Sequence, residues 1–483
     1  MKLLIGLLAC LIVFSLSALK WRRAVKTVFL LIVIEGALRK WVFPQANEML
    51  YFLKDIVLLG VYFNFYFLSG SKEKLFSKVN TINIFTIFVI GWCLFQVFNP
   101  SLGSPLIGFF GLRGYLLYLP LIWILPFLFQ SEEELYNFLR THFLLLIPVG
   151  IIGIVQFFSP ASSFINAYSN EDSRVITATF GATSAVRITG TFSYISGYAI
   201  FLIVCFGLLI PFFSINQPFG WKLISLVEIF FLIVNSLMTG SRSVILAQVL
   251  FILCYIAARG LRQPESTVRF LMRLLVPAIV IALVTFIWFR PAVDAFWLRT
   301  TSNKDVPDRI AGSFTEPFDF IRYKELDGYG TGATHQAAPV LRKALNLQDG
   351  ELIPIYYELE MGRILLELGP LGFLFWYGLR VIILIALMTT FWKLKRPFLR
   401  QLALAAFVIQ AIQITGTLVF HHTFSVYYWF LSSFIFMLPR LEQIEDWQRE
   451  QQLFQQDVQF THLPDSPYRE SKFASGSDRS VGS

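Results

Sequence analysis

Charge is the first thing this sequence is short of. Asp, Glu, Lys and Arg make up 15% of its 483 residues, against roughly a quarter in a soluble protein. That shortage excludes several soluble domains. Cysteine is scarce as well: Cys10, Cys93, Cys205 and Cys254 all fall inside apolar runs, and none has metal-ligand spacing. A disulfide framework is therefore not expected. Phosphate loops of the Walker type are absent, and so is any Asp-x-Asp pair of the kind that holds a metal-bound nucleotide sugar.

What is present instead is apolar. Hydrophobic residues make up 56% of the chain, with 51 phenylalanines, and the mean hydropathy is +0.63. A membrane-spanning helix needs about 20 mostly apolar residues. Such runs recur near 3–19, 24–42, 50–69, 81–98, 114–130, 139–158, 193–214, 221–238, 243–258, 274–290, 356–390, 401–419 and 422–440. The expected fold class is an all-α polytopic membrane protein with about 12–13 transmembrane helices. Residues 1–110 form N-terminal helices, 111–440 a membrane core, and 441–483 a polar tail read as disordered and cytoplasmic. Two long loops interrupt the core, at about 159–192 and 291–355. The second mixes Trp, Phe, Tyr, Arg, Asp and Gly, which suggests an ordered, active-face loop. No internal repeat is evident.

The formal net charge is +9, but it does not point to nucleic acid. The basic residues sit in short clusters between spans, as membrane topology demands. Residues 3–19 are short enough for a signal-peptide core. Cleavage there would send Lys20, Arg22, Arg23 and Lys26 across the membrane, so a first helix with its N-terminus outside is preferred. Alternating from that cluster places three others on the same, cytoplasmic side. These are Lys72, Lys74 and Lys78; Arg259, Arg262, Arg269 and Arg273; and Lys393, Lys395, Arg396 and Arg400. Both long loops then fall outside, and the C-terminus inside.

Four arginines lie at the outer ends of spans: Arg113, Arg187, Arg242 and Arg363, with glycine close by. One arginine at a span end can simply snorkel to the interface. Four on one face suggest a shared anionic site, because guanidinium forks match phosphate oxygens. Thr239, Gly240, Ser241, Arg242 and Ser243 precede a helix whose first amides could help hold an anion; the plain alternative is a tight turn with an N-cap serine. Glu360, Arg363 and Glu367 share one helix face, and Glu358 lies just before them. They read either as an ion-pair ladder or as the place of a general base acting on a sugar hydroxyl. His335, in the glycine-rich stretch from Gly328, is a further candidate base, while His421 and His422 sit at the outer end of the last hairpin. No cytoplasmic domain is large enough for an ATPase. Any donor substrate is therefore expected to be lipid-borne and approached from outside. No cofactor and no metal are expected.

Three patches, in order, carry a resemblance. Arg187, Gly190, Thr191 and Phe192 look like an Arg-x-x-Gly-Thr-Phe segment. Thr239 to Arg242 are similar to a Thr-Gly-Ser-Arg turn. Glu367, Gly369 and Gly372 look like a Glu-x-Gly-x-x-Gly at the start of a late span. In these the chain resembles the O-antigen ligase and O-antigen polymerase family of bacterial envelope enzymes, over about residues 110–440. The resemblance implies a glycosyltransferase of the inner membrane. Such an enzyme takes glycan from a polyprenyl diphosphate on the extracytoplasmic face and passes it to a second lipid-linked glycan or to a lipid A core. Arg187 and Arg242 match family arginines thought to hold the diphosphate. Family members often carry a histidine nine residues before the Glu-x-Gly glutamate, where this chain has Glu358. That departure leaves Glu358 or His335 as base and favours a polymerase over a ligase.

Two other readings stand beside this one: a lipid-glycan flippase or other transporter, and a non-catalytic partner in polysaccharide export machinery. Transporters tend to show repeated halves and helices broken near the midplane. The distinctive segment from Glu35 to Pro44 has no role in any of the three readings.

Overall fold

Short local signals start the helices. The computed structural model describes residues 2–69, 80–168, 177–181, 183–302, 306–324 and 326–461. Helix α1 (Lys2–Leu19) and α2 (Trp21–Ala37) are followed by a π-helical turn at Leu38–Val42 and by α3 (Asn47–Phe63). In α4 (Thr81–Val97), the side chain of Asn80 accepts the Asn83 N–H at 2.9 Å. Next come α5 (Pro105–Leu116) and the short α6 (Leu121–Ile124). In α7 (Glu132–Phe143), Ser131 caps the first turn, where three glutamates sit, while Arg140 and His142 occupy the last. Those signs complement the helix dipole. Helices α8 (Leu146–Phe158), α9 (Ile195–Leu209), α10 (Phe219–Met238), α11 (Arg242–Arg262) and α12 (Pro264–Trp288) follow. The chain continues through α13 (Arg290–Ser302), α14 (Val306–Phe320), α15 (Ala338–Leu345), α16 (Glu360–Lys393), α17 (Pro397–Ile412) and α18 (His422–Thr461).

The chain is an all-α polytopic membrane protein. Among the described residues, eight helical stretches are long and apolar enough to cross a membrane: Pro44–Leu68, Pro105–Phe127, Glu132–Phe158, Ile195–Ser214, Phe219–Met238, Arg242–Arg262, Pro264–Trp288 and Glu360–Lys393. Gly6–Leu19, Thr81–Val97 and Pro397–Ile412 are shorter apolar helices. The expected spans 24–42 and 422–440 are helical too, but Glu, Lys and Arg in the first and Tyr, Trp and Ser in the second lower their hydropathy. Exposed leucines, valines and isoleucines on α1 and α12 would be untenable in water and suit lipid. The Ile195–Ser214 stretch is 89% buried and Pro264–Trp288 only 17%, so the first lies at the centre and the second at the rim.

Ion pairs and hydrogen bonds sort the helix ends into two sets. At one end Lys26 pairs with Glu134 at 2.9 Å, Arg396 with Glu132 at 3.2 Å, and Arg262 Nη2 donates to Leu394 O at 3.4 Å. The basic clusters around Lys26, Arg262 and Arg396 therefore share this end, as alternation requires. Lys72, Lys74 and Lys78 lie outside the described residues. At the other end Arg39 Nη1 donates to Ser193 Oγ at 3.1 Å, and Ser196 Oγ lies 3.0 Å from His421 Nε2.

Several boundaries differ from the sequence reading. The span expected at 114–130 starts at Pro105, and the one at 274–290 starts at Pro264. The Arg259–Arg273 cluster is consequently helical rather than a loop. The stretch 291–355 carries helices α13 to α15 in place of one long loop. Helix α18 runs to Thr461, so the tail expected from 441 begins as helix; residues 462–483 lie outside the described residues. Part of the 159–192 loop, residues 169–176 and 182, also does.

Helix α16 breaks at Gly369, whose φ is +68°. A Cβ there would sit 2.1 Å from Leu326 O and 2.9 Å from Gly328 N. The break admits the glycine-rich strap, where Tyr329 N–H donates to Leu366 O at 2.7 Å and Gly330 N–H to Glu367 O at 2.9 Å. Gly369→Ala should destabilise the purified protein by about 2–4 kcal/mol, read as a fall in its thermal unfolding midpoint. Gly91→Ala, where a Cβ meets nothing within 4 Å, should change stability by no more than about 1 kcal/mol.

Candidate functional site

A cavity of about 600 Å³ opens at the end of the bundle away from the basic clusters. Its near wall comes from α2, its π turn and α3: Glu35, Gly36, Arg39, Tyr51 and Lys54. Its far wall comes from Gln336 and from Phe420 to Thr423, and its floor from Phe192 to Gly197 with Tyr168.

The near wall is a charge network. Glu35 accepts from Arg39 Nη1 at 3.3 Å and from Lys54 Nζ at 2.8 Å. Arg39, Lys54 and Arg113 surround the Tyr51 ring, 4.7 to 5.1 Å from its centroid. Arg113 is neutralised by Asp55, whose other oxygen accepts the Tyr118 hydroxyl at 2.6 Å. Tyr51 in turn meets His422 through its hydroxyl. Cations around one ring face are attracted by its quadrupole.

The Arg187–Phe192 segment leads into the floor, and α2 holds it. Lys40 Nζ donates to Thr189 Oγ1 at 3.0 Å and to Gly190 O at 2.9 Å, and Thr191 Oγ1 donates to Val33 O at 2.6 Å. Gln156 accepts the Gly190 N–H at 2.7 Å from the other side. Gly36 admits this contact, since a Cβ there would fall 2.3 Å from Ser193 N. The Glu35–Pro44 segment, which had no role from sequence, is thus the support of the first family-like patch.

The far wall hangs from the front of α16. Glu367 is fully buried; its oxygens accept the Thr334 N–H at 3.0 Å, the Thr334 hydroxyl at 2.7 Å and the Tyr115 hydroxyl at 2.8 Å. Arg363 Nη2 donates to Thr334 O at 2.8 Å, with its guanidinium 3.4 Å over the Phe420 ring. Glu360 accepts the Val419 N–H at 3.1 Å and lies 3.6 Å from Arg380. The three residues do not pair with one another as a ladder. They fix the two segments that line the cavity.

A second cationic cluster adjoins the floor. Arg187 Nε donates to Thr239 O at 2.9 Å, and Arg299 Nε to Gly240 O at 3.0 Å. Gly240 takes φ +62° between α10 and α11. Burial first, then Arg299 and Arg242, hold the Arg187 guanidinium below its usual range, while Tyr168 and Tyr194 act the other way. The rings of Tyr168 and Tyr194, 5.5 Å apart, line the cavity and lie beside Arg187. They border both cationic groups.

The structure therefore brings Arg187 and Arg242 together and adds Arg299. It places Arg113 and Arg363 behind the cavity lining, each already engaged, by Asp55 and by Thr334. Glu358 is half exposed and pairs with Arg309 at 3.3 Å, outside the cavity lining. Glu360 is buried behind the far wall. His335 Nδ1 accepts the Ala337 N–H at 3.1 Å, so its neutral form carries hydrogen on Nε2. Sequence reasoning missed Arg39, Tyr51, Lys54 and Arg299 as site residues. The signal was available for three of them: charged or phenolic groups inside the apolar runs 24–42 and 50–69 are costly unless they serve something. Among the described residues, no group of three or more His, Cys, Asp or Glu could hold a metal ion.

No family model matches this chain, and no curated protein matches it.

Burial, then Arg363 and Arg113, push His335 down to about 4 from 6.5. Burial likewise lowers His421 to about 4. Both imidazoles are neutral at pH 7. Below pH 6.5 the unfolded chain takes up these protons first, so stability is lost as pH falls from about 6.5 towards 4. The thermal midpoint should drop over that window in the wild type and drop less in His335→Gln.

Proposed function

We propose that this protein is a membrane glycosyltransferase that transfers or polymerises a polyprenyl-diphosphate-linked glycan at the face holding the cavity. The observation that carries the reading is the junction of a cation-lined cavity with the Arg187, Arg242 and Arg299 cluster at the start of α11. Guanidinium groups and helix-terminal amides suit the oxygens of a diphosphate. The aromatic walls, Tyr168, Phe192, Tyr194 and Phe420, suit the apolar faces of sugar rings.

In this reading an acceptor hydroxyl attacks the anomeric carbon, and the bond from that carbon to the diphosphate oxygen breaks. Polyprenyl diphosphate leaves with the electron pair. The arginine cluster stabilises the charge that develops on it. The acceptor proton goes to a neutral imidazole. His421 lines the cavity, and an anion beside it would raise its pKa towards the working range. No nucleotide and no cofactor takes part. A polymerase is favoured over a ligase, and O-antigen or exopolysaccharide precursors are the substrate class. The cavity end is then extracytoplasmic, with the protein in a bacterial inner membrane, its N-terminus outside and its C-terminus in the cytoplasm. The basic clusters at the opposite end support that orientation.

A lipid-glycan flippase is the rival. Its substrate path would need polar groups near the midplane, whereas the cavity groups gather at one end.

The test mixes purified protein with a short glycan on polyprenyl diphosphate and resolves the products on a gel. A ladder identifies a polymerase; transfer to lipid A core without a ladder identifies a ligase. No transfer with several donors, together with lipid movement in vesicles, would establish the flippase instead. Arg187→Ala and Arg242→Ala should each lower kcat/KM by about tenfold or more, the worth of a charge-assisted hydrogen bond. Glu358→Gln, outside the cavity, should stay within about twofold of wild type.

A further inference from the structure

At the opposite end of the bundle a single residue, Gln263, separates α11 from α12. The tight junction gathers Arg259, Arg269 and Arg273 around a second cavity of about 260 Å³, with Ser214, Asn216 and Ser266 in its walls. Arg259 is only 6% exposed. Its guanidinium lies 4.4 Å over the Phe270 ring and its Nη1 donates to Ser214 Oγ, while its Nε has no hydrogen-bond partner. Among the described residues none of the three arginines has an ion pair. Glu265, four residues before Arg269 on α12, makes none either.

A third cavity, of about 310 Å³, shares Phe213, Asn216 and Arg273 with the second and continues past Lys222, Leu226 and Pro277. It runs between α10 and α12, and α12 is the rim helix that faces lipid. A cationic chamber thus adjoins a more apolar one at the edge of the bundle.

We propose that the paired chambers bind one acidic phospholipid, its phosphate among Arg259, Arg269 and Arg273 and an acyl chain along Leu226 and Pro277. Planar guanidinium groups match a phosphodiester, and basic pockets between helices at the cytoplasmic end suit anionic headgroups. A free phosphate would fill the first chamber and leave the apolar one empty. A zwitterionic headgroup would bring its ammonium against three arginines. The site is independent of what the cavity at the other end does.

The full-length protein in detergent would be titrated with phosphatidylglycerol, with phosphatidylcholine and with glycerol phosphate, following the thermal unfolding midpoint. Half-saturation should come at least about tenfold earlier with phosphatidylglycerol than with phosphatidylcholine. The double variant Arg269→Gln, Arg273→Gln should weaken phosphatidylglycerol by roughly 30-fold, from about 1 kcal/mol per arginine. Leu226→Trp should abolish the dependence on acyl-chain length without changing charge. Lys20→Gln with Arg22→Gln removes the same charge elsewhere on this end and should leave binding within about twofold. Equal loss in that control, or equal affinity for the two lipids, would overturn the site. Full stabilisation by glycerol phosphate alone would overturn the lipid and leave a free-phosphate site.

Discussion

A carboxylate without solvent contact has to find its donors inside the protein. Glu367 finds three, from Thr334 twice and from Tyr115 once. Those bonds tie α16 to α5 and to the strap that begins at Gly328. The strap reaches Glu367 only because α16 breaks at Gly369 and leaves its Leu366 and Glu367 carbonyls for Tyr329 and Gly330. Once Thr334 is fixed, Arg363 takes its carbonyl, and Gln336 two residues on is set against the cavity. Glu360 does the same for the Val419 side. One wall of the cavity therefore follows from the polar groups on the eight residues from Glu360 to Glu367.

The opposite wall is built on the same logic with the signs reversed. Lipid tails are as apolar as leucine, so helices in a membrane gain little from hydrophobic contact alone. Polar pairs fix their register instead. Glu35 sits between Arg39 and Lys54, Asp55 between Arg113 and Tyr118, and Lys40 beneath Gly190. Removing one partner from such a pair leaves an uncompensated buried charge, which costs about 3–5 kcal/mol. The wall keeps its charges because each is answered, and excess cation is left facing the cavity.

Much of the architecture was legible because a bilayer imposes length and polarity together. The spans around 193–214, 221–238 and 243–258 appear within a few residues of where apolar runs put them. The shared end of the Lys26, Arg262 and Arg396 clusters followed from counting crossings. Helices α13 to α15 escaped notice because their mixed polar and apolar composition reads as loop. The long α18 did so because charge and Gln continue a helix as readily as they end a span. At the site, Arg187 and Arg242 were legible from short motifs. Arg39 and Lys54 were hidden inside runs classed as apolar, and Arg299 inside a stretch classed as loop. Pairing across 150 residues, as between Lys40 and Gly190, is a tertiary fact that no local pattern carries.

The two phenol rings of Tyr168 and Tyr194 line the cavity and lie beside Arg187, so two pools of positive charge meet at one pair of rings. A meeting point of that kind would act as a gauge of size. A small anion would meet one pool at a time, so inorganic phosphate or sulfate would compete with only half of a longer ligand. A molecule that carries its charge at one end and a rigid body over the rings would engage both sides at once. Ligands for this cavity should therefore be sought among elongated, asymmetrically charged amphiphiles rather than among compact anions.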